Sequence, residues 1–255
     1  MRVTVCELPH DPRELALAWA RLCEHTSRKR SELVLLPELV FVEPVWEAER
    51  FDPVRWSAVV AHSAAHLQHL PELRAPYVVG TRPVSDDGRP FNEGFTGTAD
   101  GGVAALRRKF FLPAEPGTWE NRWFDRGDPA FPIFRAGPLW FGLNICTELW
   151  ALETYPAYAE RNVQAILSPR ATAAGTTGKW LSAGVVAAVR SGAFSLSSNR
   201  VDVSGACGGV GWVISPDGRV LATTSVESPF VTVDIDLTAS VDARWSYPRY
   251  VFRDP

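Results

Sequence analysis

The sequence predicts an α/β domain built in layers. Segments with strand character alternate with segments of helical spacing in both halves of the chain. Several strand segments are apolar on both faces, as expected when helices cover a sheet or two sheets pack together. No internal repeat or linker-like break interrupts the pattern, so we expect residues 1–255 to form a single domain. This length is sufficient to bury a sizeable core.

The predicted elements of the first half begin with a strand over 2–8, which alternates in strand fashion and ends at Pro9. A helix follows, with Asp11 as its cap, Pro12 as its first residue and apolar residues at helical spacing. The later elements of this half are a buried strand over 31–38, a helix over 53–70, a strand over 76–80, a turn over 85–88, and an antiparallel strand pair joined by residues 99–102.

The second half opens with an irregular stretch, residues 112–130, which holds glycines, prolines, tryptophans and charges without a clear period. Such a long irregular stretch inside a compact domain is more often functional than a linker. The predicted elements after it are strands over 131–135 and 139–145, a helix over about 148–161, a strand over 164–168, an alanine-rich helix over 179–191, and further strands in FSLSS, GWVI, RVLAT and FVTVDID, with a hairpin turn at 216–218.

Composition and charge argue against several classes of protein. The net charge is -3 and no block of basic residues appears, so nucleic acid and anionic membranes are poor candidate partners. No apolar stretch is long enough to span a bilayer, and Met1 runs straight into RVTVCEL without a signal sequence, so we expect a cytoplasmic protein. The four cysteines are widely spaced and form no Cys-x-x-Cys pair. No glutamate completes a zinc-protease pattern with the histidines, and no Walker or dinucleotide glycine motif appears, so we expect neither metal nor cofactor.

Three predicted strands end at residues that are able to do chemistry: Glu38, Lys109 and Cys146. In layered α/β folds the catalytic crevice lies beyond the carboxyl ends of the strands, so these side chains could converge. A carboxylate can take the proton of a thiol, the thiolate can attack a trigonal or digonal carbon, and an ammonium can stabilise the oxyanion that develops.

Each of these residues also has a simpler interpretation. Cys146 also fits the role of a small buried apolar side chain, which is the role of most free cysteines. Glu38 fits a solvated loop or a helix cap, and Lys109 fits a basic strand edge. The composition favours a special role for the lysine, because the chain has 23 arginines and only three lysines. Where arginine is preferred this strongly, a lysine marks a position that needs a compact ammonium.

The three segments resemble the motifs of the carbon–nitrogen hydrolase, or nitrilase, superfamily. That family carries its glutamate in a strand-Pro-Glu segment, matched by LVLLPEL with Glu38. Its lysine lies in a segment matched by RRKFFLP with Lys109, and its cysteine precedes an acidic residue by two positions, as in NICTEL with Cys146 and Glu148. The order of the motifs and the spacing between them also agree, and the likeness covers nearly the whole chain.

The resemblance implies further site residues. GTWENRWFDRGD is similar to a family loop whose glutamate hydrogen-bonds near the lysine and helps to position substrate; Glu120 is the closer match and Glu115 the other candidate. QAILSPRAT and SSNR match segments near the pocket, and they contain Arg170 and Asn199. Together with two tryptophans near the site in sequence, these form the candidate substrate-binding set: Trp119, Trp150, Arg170 and Asn199.

The resemblance also implies the fold and the assembly. It predicts a four-layer αββα sandwich of the carbon–nitrogen hydrolase type that pairs into an αββα–αββα homodimer or a larger assembly. Two departures from the family pattern, Phe110 where histidine is frequent and Ala151-Leu152-Glu153 where Phe-Pro-Glu is usual, prevent the transfer of a substrate from a named subfamily.

The expected activity is hydrolysis of a non-peptide carbon–nitrogen bond in a small amide or N-carbamoyl compound, through a thioester on Cys146. Glu38 would act as general base, Lys109 and the backbone N–H of Thr147 would hold the oxyanion, and Glu120 would complete the catalytic set by orienting Lys109 and the substrate. One alternative is a nitrilase that uses the same residues on a C≡N carbon. An alternative of another class is a non-catalytic binding or assembly protein on the same fold.

Overall fold

The structure is a computed structural model that describes residues 1–252. Within this range the strands are β1 (Arg2–Leu8), β2 (Leu33–Leu35), β3 (Tyr77–Asp86), β4 (Arg89–Thr98), β5 (Val103–Arg108), β6 (Ile133–Ala136), β7 (Leu139–Leu143), β8 (Ala165–Arg170), β9 (Phe194–Arg200), β10 (Trp212–Ile214), β11 (Val220–Thr223) and β12 (Phe230–Asp234). The helices are α1 (Pro12–Lys29), α2 (Pro53–Leu67), α3 (Glu120–Trp123), α4 (Thr154–Glu160), α5 (Thr177–Ser191) and α6 (Thr238–Ala243). Short 3-10 turns lie between them, and no helix of residues 1–252 is long and apolar enough to cross a membrane.

The strands form two sheets. The first has the order β5-β4-β3-β2-β1-β12, and the second has the order β6-β7-β8-β9-β10-β11. In each sheet three neighbouring strands are parallel, β1 with β2 and β3 in one and β7 with β8 and β9 in the other. The sheets join where β1 pairs with β9, with Glu7 opposite Asn199 and Leu8 opposite Arg200. This junction lies at the carboxyl ends of both strands, which is the end that carries the predicted site.

Apolar side chains hold the chain together in four layers. The central core, which includes Val3, Leu33, Leu143 and Leu167, comes from both sheets and lies between them. A second cluster packs α1 and α2 against the outer face of the first sheet, and a third packs α4 and α5 against the outer face of the second. The layer order is therefore helix, sheet, sheet, helix, which confirms the predicted αββα sandwich. The pairing of two such sandwiches stays a prediction.

The short strand β2 shows why the sequence is apolar on both faces. Leu33 and Leu35 point into the core between the sheets, whereas Val34 and Leu36 point to the helices. All four side chains are fully buried, and burial of one such side chain stabilises the fold by roughly 1.5–3 kcal/mol. A strand with helices on one face and a second sheet on the other has no position for a polar side chain.

The ends of two of the long helices follow the sequence signals. The Asp11 side chain accepts hydrogen bonds from the backbone N–H groups of Arg13 and Glu14, at 3.0 and 3.1 Å, and Pro12 is the first residue of α1. Helix α5 ends at Gly192, whose φ of 69° is a conformation that glycine adopts without a steric penalty.

Three elements differ most from the expectation. The strand predicted over 31–38 is limited to β2, Leu33–Leu35. The helix predicted over about 148–161 is two pieces, a 3-10 turn over Cys146–Trp150 and then α4. Ala151, with ψ of 74°, leaves the helical conformation, and Pro156 has no N–H to donate to the carbonyl four residues earlier. Strand β3 is longer than the predicted 76–80, because it pairs with β4 along its whole length up to the two-residue turn at 87–88.

Candidate active site

Glu38, Lys109 and Cys146 follow the ends of three strands and lie in one buried region. Glu38 lies three residues beyond β2, Lys109 directly follows β5, and Cys146 lies three residues beyond β7. Lys109 Nζ donates to Glu38 Oε1 at 2.8 Å, and both carboxylate oxygens of Glu120 also lie 2.8 Å from Nζ. Lys109 is fully buried, and the other three residues are at most 5% exposed. One ammonium is thus enclosed by two carboxylates beside a thiol.

Burial and the charges of this cluster shift the pKa values of Lys109 and Glu120. Burial by itself lowers the pKa of Lys109, but the negative charges of Glu120 and Glu38 outweigh it and raise the pKa above its ordinary value. Burial also raises the pKa of Glu120 to about 7; the Lys109 charge works against this rise, and the Glu38 charge adds to it. The lysine is therefore held as a cation at neutral pH, as an oxyanion-binding group needs to be.

The nucleophile candidate sits on a turn with an unusual backbone. Cys146 has a φ of 49°, in the left-handed region that non-glycine residues rarely adopt, and the 3-10 turn begins there. Burial raises the pKa of the Cys146 thiol, and the Glu38 charge raises it further. The Lys109 charge and hydrogen bonding from the Ala171 backbone lower it. The resting side chain is thus a thiol that needs a base, and Glu38 is the carboxylate beside it.

A buried ion pair fixes this turn against the strand end that carries the lysine. The fully buried carboxylate of Glu148 accepts from the Arg107 guanidinium, at 3.1 Å from Nη2 and through a second, shorter bond from Nη1. It also accepts from the backbone N–H of Phe110 at 2.7 Å and of Ile145 at 2.9 Å. Because these donors come from both sides of the site, Glu148 ties the segment around Lys109 to the turn around Cys146. The sequence pattern pointed to Glu148 but not to Arg107.

Asn92 is a site residue that the sequence analysis missed. Its side-chain amide on β4 donates to Glu38 Oε1 at 2.8 Å, so this oxygen accepts from both Asn92 and Lys109. The backbone carbonyl of Asn92 also accepts the N–H of Lys109 at 2.8 Å. The segment FNEGFTGT gives no local signal for this role, because the register of β4 against its neighbours determines which side chain faces Glu38.

The irregular stretch 112–130 contains both glutamates that the resemblance offered. Glu120 begins α3 and contacts Lys109, whereas Glu115 is exposed in a short turn where its backbone bonds with Thr118. Trp119 immediately precedes α3, is partly buried, and donates its backbone N–H to the Trp46 carbonyl at 2.7 Å. The stretch is therefore held close to the lysine by several contacts.

The remaining predicted substrate-binding residues lie on the turn that begins at Cys146 and on strands β8 and β9 of the second sheet. Trp150 ends the 3-10 turn, is 45% exposed, and its ring centroid lies 5.6 Å from that of Trp180. Arg170 and Asn199 are buried, and protein groups accept from or donate to both side chains. Asn199 bonds to the backbone of Thr172 and to the Gly209 carbonyl, and so joins two loops. A role of these residues in substrate binding stays a prediction.

No group of three or more histidine, cysteine, aspartate or glutamate side chains within residues 1–252 is arranged to hold a metal ion. The arrangement that is present can do acid–base and nucleophilic chemistry with its own side chains. It combines a thiol, an adjacent carboxylate, and an ammonium whose position is fixed by two carboxylates.

Solved structures with a similar fold include several carbon–nitrogen hydrolases. The crystal structure of a carbon–nitrogen hydrolase from Helicobacter pylori G27 has a TM-score of 0.84 and 21% identity, over 99% of this chain and 95% of that one. A mutant amidase from Nesterenkonia sp. AN1, with acrylamide added to its active-site cysteine, has a TM-score of 0.74 and 20% identity over 96% of each chain. A carbon–nitrogen hydrolase superfamily protein from Xanthomonas campestris, with an arsenic adduct in its active site, has a TM-score of 0.74 and 19% identity, over 100% of this chain and 97% of that one.

These identities are low enough that the solved structures establish the fold alone. No curated protein sequence matches the chain significantly. A sequence profile described as Carbon-nitrogen hydrolase matches residues 2–244, which is nearly the whole chain. With the fold and the profile in agreement, the chain belongs to the carbon–nitrogen hydrolase family.

Proposed function

We propose that this protein hydrolyses the carbon–nitrogen bond of a small amide or N-carbamoyl compound through a thioester on Cys146. The observation that carries the proposal is the position of Lys109, whose Nζ lies 2.8 Å from oxygens of both Glu38 and Glu120 beside a buried thiol. Membership of the family, together with the amidases among similar structures, supports amide hydrolysis in general.

The first half-reaction forms the thioester. Glu38 takes the proton of the Cys146 thiol as the sulfur attacks the carbonyl carbon, and the carbonyl oxygen becomes an oxyanion. When the tetrahedral intermediate collapses, the carbon–nitrogen bond breaks. Glu38 then gives its proton to the leaving nitrogen, which departs as ammonia or an amine. The acyl or carbamoyl group is left on the sulfur.

The second half-reaction releases the acid. Glu38 takes a proton from a water molecule, whose oxygen attacks the thioester carbon, and a second tetrahedral intermediate forms. As this intermediate collapses, the carbon–sulfur bond breaks and the Cys146 sulfur recovers its proton through Glu38. The acid leaves, and the site returns to its initial protonation state.

Two donors are proposed to hold the oxyanion in both steps. An ammonium has three N–H bonds. Lys109 donates one to Glu38 and one to Glu120, so the third remains for substrate. The second donor is the backbone N–H of Thr147, which lies in the first turn of the 3-10 segment, where N–H groups have no partner within the turn. Glu120 contributes by fixing the direction of the Lys109 side chain.

Trp119 and Trp150 are proposed as walls of the substrate pocket. Trp119 lies next to Glu120, and Trp150 lies four residues beyond the proposed nucleophile and is 45% exposed. We propose that Arg170 and Asn199 contribute through the loops that their side chains hold. On family resemblance we also propose that two copies pair as a homodimer, which sedimentation analysis will test.

Turnover of a panel of small amides and N-carbamoyl compounds by purified variants tests the mechanism. Cys146→Ala and Lys109→Ala are each expected to lower kcat/KM by a factor on the order of a thousand or more. Cys23→Ala and Lys29→Ala are the matched controls, because these side chains lie on α1, and are expected to retain full activity. Turnover by Cys146→Ala near the wild-type rate would contradict the proposed mechanism.

Mass spectrometry of the protein after incubation with the same panel, extended to nitriles, identifies the acyl group. A thioester-sized adduct on Cys146 that forms only with amides or carbamoyl compounds is the expected result. Adducts that form only with nitriles indicate the nitrilase alternative instead. Without an adduct or turnover from any compound, the non-catalytic alternative becomes the better account of this fold.

A further inference from the structure

One peptide bond, between Arg170 and Ala171, lies between the base and the nucleophile. Its carbonyl accepts the backbone N–H of Glu38 at 3.2 Å. Its N–H, on Ala171, lowers the pKa of the Cys146 thiol as a backbone hydrogen-bond donor. Because a peptide unit is planar and rigid, a rotation that moves one of these groups moves the other. The orientation of this single unit therefore sets the donor on the sulfur and the backbone of the base together.

The Arg170 side chain anchors this peptide at three points. Its guanidinium donates to Ser197 Oγ and to Thr172 Oγ1, each at 2.7 Å, and to the Val210 carbonyl at 2.6 Å. It also stacks on the Trp212 ring at 4.1 Å from the centroid. The anchors belong to β9, to the segment after β8 and to the loop before β10. Arg170 is fully buried, so water does not compete for these bonds.

One anchor is itself held in an uncommon conformation. Val210 has a φ of 58°, which is a genuine outlier for a β-branched residue. Its N–H donates to Glu7 Oε1 at 2.7 Å while its carbonyl accepts from Arg170. A buried carboxylate and a buried guanidinium thus hold opposite ends of one strained residue. Strain of this kind persists where the surrounding structure fixes it, and such places concentrate at functional sites.

Arg170 also brings a positive charge to the nucleophile. Burial lowers the pKa of Arg170 to about 9, and the charges of Cys146 and Glu7 oppose that change. Glu7 is separated from the guanidinium by Val210, which both groups contact. At neutral pH the guanidinium is a fixed cation whose field favours a thiolate at Cys146.

We propose that Arg170 is a positioning residue, whose buried guanidinium locks the Arg170–Ala171 peptide so that its N–H supports the Cys146 thiolate and its carbonyl holds Glu38. The inference deepens the proposed function and rests on it, because it gives the nucleophile a third support besides Lys109 and the turn. It also differs from a direct role in substrate binding, because three donor atoms of the guanidinium are already directed at protein acceptors.

The test compares Arg170→Met and Arg170→Lys with the wild type in two assays. In amide turnover we expect Arg170→Met to lower kcat by tenfold to a hundredfold with less than a threefold change in KM. In alkylation by iodoacetamide at pH 7.5, we expect the rate at Cys146 to fall about tenfold, with Cys23 in the same sample as the internal reference. Arg170→Lys, which keeps the charge but not the three-point attachment, is expected to lie between these values in both assays.

Arg249→Met is the matched control, because Arg249 is also buried and also donates to backbone carbonyls, those of Val189 and Pro216 among them. It is expected to lower stability without changing kcat or the alkylation rate of the folded fraction. A rise in KM with unchanged kcat in the Arg170 variants would overturn the proposal in favour of direct substrate binding. An unchanged alkylation rate at Cys146 would overturn it as well.

The alkylation assay separates this proposal from the proposed function. A wild-type protein without turnover on any amide contradicts the function, yet the Cys146 alkylation rates of the wild type and the variants still report whether Arg170 positions the thiol. If Arg170→Met does not fold, the comparison of Arg170→Lys with the wild type carries the same two readouts. Equal rates for that pair in both assays would overturn the proposal.

Discussion

Glu148→Gln is expected to destabilise the fold strongly, although it only replaces one carboxylate oxygen by an NH₂ group. The carboxylate is fully buried and accepts from both terminal nitrogens of Arg107 and from the N–H groups of Phe110 and Ile145. A glutamine has one oxygen to offer, so its NH₂ group must face donors on the other side. The substitution also leaves the Arg107 guanidinium, which is 7% exposed, without its counter-charge.

The magnitude follows from these contacts. Removal of one partner of a buried ion pair typically costs 3–5 kcal/mol, because the charge that remains is buried and uncompensated. We therefore expect the free energy of unfolding to fall by about 4 kcal/mol, a large part of the roughly 5–15 kcal/mol that stabilises a typical protein. In a chain of this size that loss lowers Tm on the order of 10 °C.

Urea unfolding followed by circular dichroism measures the change, and two further variants make it specific. Glu43→Gln is the matched control, because Glu43 pairs with Arg55 at 2.8 Å but both side chains are substantially exposed; we expect a loss below about 1 kcal/mol. The double variant Arg107→Met/Glu148→Gln removes both buried charges and is expected to be more stable than Glu148→Gln alone. A loss below about 1 kcal/mol for Glu148→Gln, or a double variant that is less stable than it, would refute the reasoning.

Three further substitutions test other contacts. Asn92→Ala removes a donor from Glu38 and is expected to lower kcat about tenfold in amide turnover, with a smaller change in KM. Glu120→Gln is expected to flatten the pH dependence of unfolding. The raised pKa of Glu120 makes the folded state bind the proton more tightly, so the free energy of unfolding falls by on the order of 3 kcal/mol as pH rises from about 4.5 to about 7. Gly142→Ala is expected to lose about 1–3 kcal/mol, because its new methyl would lie 2.5 Å from the Tyr158 ring.

These expectations have their own controls. Gly175→Ala introduces the same methyl group where no atom lies within 4 Å, and equal losses at the two glycines would contradict the packing argument. The Glu120 argument fails if the variant and the wild type lose stability in parallel between pH 5 and 7. For Asn92, a rise in KM at constant kcat would indicate that the amide meets substrate rather than Glu38.

The sequence predicted most elements because the apolar pattern records burial directly. Strand β2 is apolar on both faces, and α1 carries its cap and first-turn proline in the expected order. The helix expected over about 148–161 was wrong, since its apolar spacing continues across Ala151 while the backbone does not. The turn that begins at Cys146 is also held by the contacts of Glu148 with Arg107 on β5 and with the N–H of Phe110, which no local pattern contains.

The site residues also fall into two groups, those that the sequence indicated and those that it did not. Family-like motifs predicted Glu38, Lys109 and Cys146 as site residues, and the structure brings them together. The contact of Glu120 with Lys109 agrees with the choice of Glu120 over Glu115. Asn92 and Arg107 were missed, because each acts only through a partner far along the chain. Their roles depend on strand register and on packing between the two sheets, and these follow from the whole fold.

The left-handed backbone of Cys146 has a consequence for protein engineering. A side chain in that conformation costs about 1 kcal/mol or more, and glycine would adopt the same φ without this penalty. Cys146→Gly would relieve this strain, and the relief offsets part of the stability lost with a buried side chain and with the freer glycine backbone. Selection by heat resistance alone therefore protects the proposed nucleophile only weakly, and improvement of this scaffold requires a selection in which every round is coupled to turnover.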